Sequence, residues 1–182
     1  SPLDDFRALL AGELPLADAA IESAVRRRPG LQGLGRLLDW AAWWSGWSGK
    51  PGGRPLRPVV ALYAACAAND GPDASAVRER LEAVASGEAP VSRIAQSLGA
   101  GLEAFDLAID RPTGDIRIGP SMSERECAAT LAFGMEALAK SPDLLLLGGL
   151  GGSPLGDLAL DVVQPPAVRR RLVRVDGLVA RR

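Results

Sequence analysis

The 182-residue chain contains no histidine. That absence removes serine–histidine and cysteine–histidine nucleophile pairs, imidazole acid–base chemistry and histidine metal sites together. Catalysis would have to rest on carboxylates, backbone amides, arginine, hydroxyls or lysine, and Lys50 and Lys140 are the only lysines. Cysteine is scarce as well. Cys66, in an apolar run, and Cys127, in a helical pattern, form no spaced framework. They read as buried thiols, and they point to a reducing cytoplasm with no metal site.

No apolar run approaches the roughly 20 residues that a membrane helix needs. No leader-like segment precedes the first amphipathic stretch, so neither a membrane partner nor a secretory signal is expected. The 21 basic and 22 acidic residues nearly cancel. Nothing in that balance argues for nucleic acid as a partner. A 47% hydrophobic content suits a folded chain, and the length suits one domain over residues 1–182. Within it a helical segment is expected over residues 1–48 and an α/β core over residues 58–182.

Residues 3–11 and 16–28 read as two short helices, the second entered through Pro15. Arg26, Arg27 and Arg28 crowd its last turn, where cations suit the helix dipole. In the next helical pattern Leu34, Leu37, Leu38, Ala41 and Trp44 form one stripe and Trp40, Trp43 and Trp47 another. Apolar character on two faces marks a helix that is deeply buried or shared with a partner. A homodimer interface through Trp40, Trp43 and Trp47 is the preferred expectation, with a core role and a ligand-stacking platform as alternatives.

Residues 58–68 read as a central strand ending at Asn69-Asp70-Gly71, where α/β sheets place functional polar groups but where ordinary turn chemistry also fits. Val77, Leu81 and Val84 space one helix, and Val91, Ile94, Ala95 and Leu98 a second. Residues 102–109 form a further expected strand, whose Glu103 and Asp106 point to opposite faces and so make a poor acid–base pair. Ser123 and Glu126 have capping-box spacing and open a helix to Lys140 with Cys127, Leu131, Met135 and Leu138 inward. The leucines of residues 144–147 then form a short strand that runs into Gly148, Gly149, Gly151 and Gly152. This glycine-rich turn is either a backbone cradle for an anion or a tight strand-to-helix connection without a ligand. Residues 155–163 allow one more helix, and Arg169, Arg170, Arg171 and Arg174 a solvated edge near a last short strand. Strands alternating with helices predict a three-layer, Rossmann-like α/β domain with a mainly parallel sheet behind the N-terminal helical segment.

Several of these stretches, in order, resemble the nicotinate-nucleotide–dimethylbenzimidazole phosphoribosyltransferase family. Arg28-Pro29-Gly30 with Gly33-Leu34-Gly35-Arg36-Leu37 looks like its KPPGSLGRLE segment, and residues 59–71 are similar to the strand entering its AGDHG motif. Gly87-Glu88-Ala89-Pro90-Val91 with Leu98-Gly99-Ala100 resembles its GGAAI helix and the LGA turn after it. Gly119-Pro120-Ser121-Met122-Ser123 stands where its PAMT helix start would be, and residues 144–153 stand where its strand and GEMGIGNTT loop would be. The resemblance implies phosphoribosyl transfer from nicotinate mononucleotide to a benzimidazole-type base in cobalamin lower-ligand synthesis, without a cofactor. It also implies a phosphate and nucleotide site at Gly149, Gly151, Gly152 and Ser153, and a base pocket at Leu34, Asn69 and Met122.

The departures fall on the chemistry. Asn69-Asp70-Gly71 replaces Asp-His-Gly, Gly149 replaces the acidic residue of GEMG, and the C-terminal LGEGTGA-like motif with the family's catalytic glutamate is not found. Asp70 is the remaining candidate for a displaced catalytic carboxylate. The altered motifs favour weakened or lost turnover. A non-catalytic nucleotide-, base- or partner-binding dimer is therefore the alternative, and a purely structural dimer module a third reading.

Overall fold

The computed structural model describes residues 1–11, 16–67, 73–115 and 117–151. They fall in two compact units, one holding residues 1–11 and 55–151 and the other residues 16–54.

In the smaller unit, α2 (Ala19–Arg26) begins at Asp18, whose side chain accepts hydrogen bonds from the amides of Ala20 and Ile21 at 2.9 and 3.1 Å. A carboxylate cap of this kind satisfies otherwise orphaned amides. The helix therefore starts later than the expected residue 16, and Pro15 lies outside the described residues. At its far end Arg26 pairs with Asp39 and Arg27 donates to the Ser23 hydroxyl, so both cations are engaged locally. A short 3-10 turn (Gln32–Leu34) leads to α3 (Arg36–Ser48).

The face of α3 that turns inward is made of small residues, Ala42, Ser45 and Gly46. A methyl group at Gly46 would lie 2.5 Å from Glu22 Cγ and 3.1 Å from the Asp18 carbonyl oxygen. The close approach is sealed by the Asp18 amide donating to the Gly46 carbonyl at 3.0 Å. The expected tryptophan stripes thus flank the buried seam and do not form it. Trp40, Trp43 and Trp44 are half-buried, Trp47 is 38% exposed, and Leu37 is 57% exposed. Trp44 Nε1 donates to the Gly53 carbonyl at 2.9 Å, whereas the buried Trp43 Nε1 has no acceptor among the described residues.

The larger unit contains α1 (Asp4–Leu10), β1 (Pro58–Ala64), α4 (Ala74–Ala85), α5 (Pro90–Leu98), β2 (Gly101–Asp106), α6 (Glu124–Gly134) and β3 (Leu144–Leu150). The three strands form one parallel sheet in the order β2-β1-β3. Register places Tyr63 of β1 between Phe105 of β2 and Gly149 of β3. The entry into β1 is fixed by Asp143, which accepts from the amides of Leu56 and Arg57 at 2.7 and 2.9 Å. Successive strand residues face opposite sides, and the two sides of the sheet carry different helices. Ala64 packs with Val77 of α4, while its neighbour Tyr63 stacks on Phe105 and donates its hydroxyl to the Gly134 carbonyl of α6 at 2.7 Å. Helices on both sides of a parallel sheet make the α/β fold that the alternation of elements predicts.

Ser123 and Glu126 form the expected reciprocal capping box at the start of α6. That helix ends at Gly134 and continues as a 3-10 turn (Met135–Leu138), and Leu131, Met135 and Leu138 are 45%, 43% and 49% exposed and do not point inward. Cys66 is buried just beyond β1, but Cys127 is only partly covered. On α5, Ala95 alone of the expected inward residues is buried, with Ile94 and Leu98 exposed. Gly148 and Gly149 belong to β3 and not to a turn, because their backbones continue the ladder opposite Leu62 and Tyr63. The expected helix over residues 155–163 and the four C-terminal arginines lie outside the described residues. No helix among the described residues is long and apolar enough to cross a membrane.

Candidate functional site

Parallel sheets place ligands outside the carboxyl ends of their strands. Here that end is formed by Cys66 after β1, Asp106 closing β2 and Gly151 after β3. Below it lies a core of Ala64, Cys66, Val77 and Ile109, against which Ala74, Leu81 and Leu150 pack. Burial pushes the Cys66 thiol up, and the charges of Asp73, Asp110 and Asp106 add to the effect. A thiol so held stays protonated and is a poor nucleophile.

Each of those three carboxylates has a structural partner. Asp73 caps α4 by accepting from the Ala76 amide at 2.8 Å and the Ser75 hydroxyl at 2.7 Å, and these hydrogen bonds hold its carboxyl below the usual range. Asp106 accepts from the Ile109 amide at 2.8 Å and so closes the turn after β2, in which Ala108 adopts a positive φ of 56°. Asp110 pairs with Arg78 at 2.5 Å. All three carboxylates are thus engaged in local structure.

The chain after β3 meets the sheet closely. Gly151 is buried with φ of 80°, and a methyl group on it would lie 2.2 Å from Val77 Cγ2 and 2.9 Å from the Ala65 carbonyl oxygen. The space beside its Cα is therefore filled by Val77 and the Ala65 carbonyl. Gly149, two residues earlier, is exposed, with nothing within 4 Å of the place a Cβ would take.

Met122 is half-buried and follows Ser121, whose carbonyl accepts from the Gly114 amide at 2.7 Å, while the neighbouring Thr113 amide donates to the Cys66 carbonyl at 3.0 Å. These bonds tie the Met122 segment to the carboxyl end of β1. Leu34 stands in the 3-10 turn of the smaller unit, 45% exposed. Asn69, Asp70, Gly152 and Ser153 lie outside the described residues. Among the described residues no group of three or more acidic or cysteine side chains could hold a metal ion.

Sequence reasoning passed over Asp73 and the seat of Gly151. The aspartate had a usable signal, an acidic residue just ahead of Ala74-Ser75-Ala76-Val77 at a helix start. The seat had none, because Val77 and Gly151 meet only in three dimensions.

A family model described as phosphoribosyltransferase matches residues 15–153, which covers every described element from α2 to β3. This chain belongs to the nicotinate-nucleotide–dimethylbenzimidazole phosphoribosyltransferase family. Enzymes of that name from Sinorhizobium medicae and Brucella anthropi are 44% and 42% identical over 163 residues, 82% of this chain and 47% of theirs. The chain thus spans about half the length of these curated family members. The crystal structure of the Thermus thermophilus protein of the same name superposes with a TM-score of 0.58 over 73% of this chain and 49% of its own. At 18% identity that likeness speaks for the shared fold alone.

Proposed function

We propose that this chain takes part in phosphoribosyl transfer from nicotinate mononucleotide to a benzimidazole-type base, as its relatives' names describe. The observation that carries the reading is the family match over residues 15–153, a range that includes all three strands of the sheet. In the reaction the lone pair of the base nitrogen forms a bond to ribosyl C1′. The C1′–nitrogen bond to nicotinate breaks, and its electron pair stays with the departing pyridine. The proton of the base passes to a carboxylate. In this reading, which rests on the resemblance, the phosphate belongs with Gly149, Gly151, Gly152 and Ser153 and the base with Asn69 and Met122. Asp70 is the catalytic carboxylate of this reading; Asp73, Asp106 and Asp110 are engaged in a cap, a turn and an ion pair.

A second reading is favoured by Gly149, which leaves bare backbone where the resemblance calls for an acidic residue. A general base contributes about a hundredfold to ten-thousandfold, so a chain that binds the nucleotide without a well-placed carboxylate turns over slowly or not at all. Free nicotinate released after mixing nicotinate mononucleotide and dimethylbenzimidazole with the protein separates the two. Release that falls about a hundredfold or more in Asp70→Asn supports the first reading. Binding of the mononucleotide without any release supports the second, and release that Asp70→Asn leaves unchanged removes Asp70 from the mechanism. The protein works in the reducing cytoplasm as a homodimer through Trp40, Trp43 and Trp47, an assignment supported by the partial exposure of α3's apolar side.

A further inference from the structure

The sheet has two outer strands, and only one of them is guarded by charge. β2 carries Asp106 and Glu103, which pairs with Lys140, whereas β3 has no charged residue and no proline between Leu144 and Leu150. Charges and prolines on an edge strand discourage pairing with another chain, and a long apolar edge without them invites it. No strand lies on the outer side of β3 among the described residues.

One bond shows which backbone groups that edge offers. The Leu150 carbonyl accepts from the Ala65 amide at 3.1 Å and so points toward the β1 side. Successive residues of a strand turn their N–H and C=O groups to opposite sides. Leu144, Leu146 and Gly148 therefore face β1 as Leu150 does, and Leu145, Leu147 and Gly149 face outward. Register sets Leu147 beside Ala61 and Gly149 beside Tyr63, so the Leu147 side chain shares the face of Tyr63. α6 meets that face over β1 and β2, through the Tyr63 hydroxyl bond and through Phe133 against Phe105. The surface above β3 is left uncovered: Leu147 is 61% exposed, and nothing lies within 4 Å of the place a Cβ would take on Gly149.

We propose that the outer edge of β3 is a seam between two copies of this chain, paired antiparallel about a twofold axis at Leu147. The strand's own sequence selects a second copy as the occupant. In that register Leu147 exchanges hydrogen bonds with Leu147 of the second copy, and Leu145 with Gly149 of the second copy. Every outward-facing residue thus meets an outward-facing one. Moving the axis to Leu146 or Gly148 leaves one of them opposite a position outside β3. Side chains match as well: Leu145 faces the empty place beside Gly149, Leu146 faces Gly148, and Leu144 faces Leu150. Pairing joins the two parallel sheets into one continuous sheet. The seam uses no residue of α3, so it adds to an association through the tryptophans and does not replace it. Of the residues assigned to the phosphate it engages Gly149 alone.

The test places a cysteine at the axis, Leu147→Cys in the full chain carrying Cys127→Ser, beside Leu98→Cys in the same background. Leu98 is 73% exposed on α5 and reports random collision, and Cys66 is buried. Opposed residues of a hydrogen-bonded antiparallel pair have Cα atoms about 5.5 Å apart, within disulfide reach. After mild oxidation, a denaturing non-reducing gel is expected to show twice the 19.0 kDa chain mass for Leu147→Cys and little of it for Leu98→Cys. In the wild type, raised from micromolar to millimolar concentration, amide exchange at Leu145, Leu147 and Gly149 should slow about tenfold once about 90% of the chains are paired. Leu147→Lys, a change at an exposed position, should abolish that dependence and leave the melting temperature of the dilute protein unchanged. Equal cross-linking of the two cysteine variants, or none in Leu147→Cys, overturns the seam. So does exchange that ignores concentration, whether fast, as for a bare edge, or slow, as for an edge covered by another segment.

Discussion

Tyr63 joins three elements through one side chain. Its ring stacks on Phe105 of β2 at a centroid distance of 5.1 Å, and Phe105 meets Phe133 of α6 edge-on at 5.7 Å. The hydroxyl donates to the Gly134 carbonyl, where α6 changes to a 3-10 turn. Replacing Tyr63→Phe keeps the stack and removes that bond. The expected loss is about 1 kcal/mol, read as a melting temperature lower by a few degrees; an unchanged value would mean that water serves Gly134 equally well. Burial, helped by the charge of Glu103, raises the phenol above its ordinary value. The folded state thus favours the protonated ring, and the stability tied to it is present below the phenol's usual pKa of about 10 and lost as pH rises beyond it. Tyr63→Phe should flatten that alkaline loss.

At the scale of the element, the start of α6 depends on Ser123 and Glu126. The carboxylate of Glu126 accepts from the Ser123 hydroxyl at 2.7 Å and its amide at 2.8 Å, and these bonds hold its pKa below the usual carboxylate value. A depressed folded pKa stabilises the fold above the unfolded value of about 4 and ceases to do so as pH falls through the folded one. Asp73 and Asp143 follow the same sign, through the amides of Ala76 and Leu56. Ser123→Ala should cost about 1 kcal/mol at neutral pH. It should also make the acid unfolding transition less steep, and an acid limb that keeps its slope would detach the capping box from it. This box was legible because a hydroxyl and a carboxylate three residues apart satisfy amides within their own turn. The extent of β3 was not legible, because glycine marks both turns and strand positions where backbones approach closely, and only the ladder opposite Leu62 and Tyr63 distinguishes them. The inward face of α3 was not legible for a related reason. Periodicity finds apolar stripes, but the close contact with α2 demanded the small residues Ala42, Ser45 and Gly46.

For the whole molecule, the class of fold and the family were legible because they rest on the order of many elements. The site was only partly so. The position of Gly151 on Val77 and the engagement of Asp73, Asp106 and Asp110 depend on contacts between distant stretches. Apolar side chains remain uncovered in both units, including Leu37 at 57% and Leu147 at 61% exposure. Such residues scattered singly are ordinary, but contiguous apolar surface marks association. If α3 carries a dimer interface, sedimentation at micromolar concentration gives twice the 19.0 kDa chain mass. Trp40→Ala with Trp47→Ala should shift that mass toward the monomer, and a monomeric wild type refutes the interface.

The proposed function rests on the end of β3 receiving the phosphate of nicotinate mononucleotide. Calorimetric titration of the wild-type chain with nicotinate mononucleotide, beside nicotinate and inorganic phosphate alone, addresses it most directly. The account predicts saturable binding of the mononucleotide, weak competition by phosphate and none by nicotinate at equal concentration. Absence of heat with all three, or binding of nicotinate that phosphate does not affect, would contradict it.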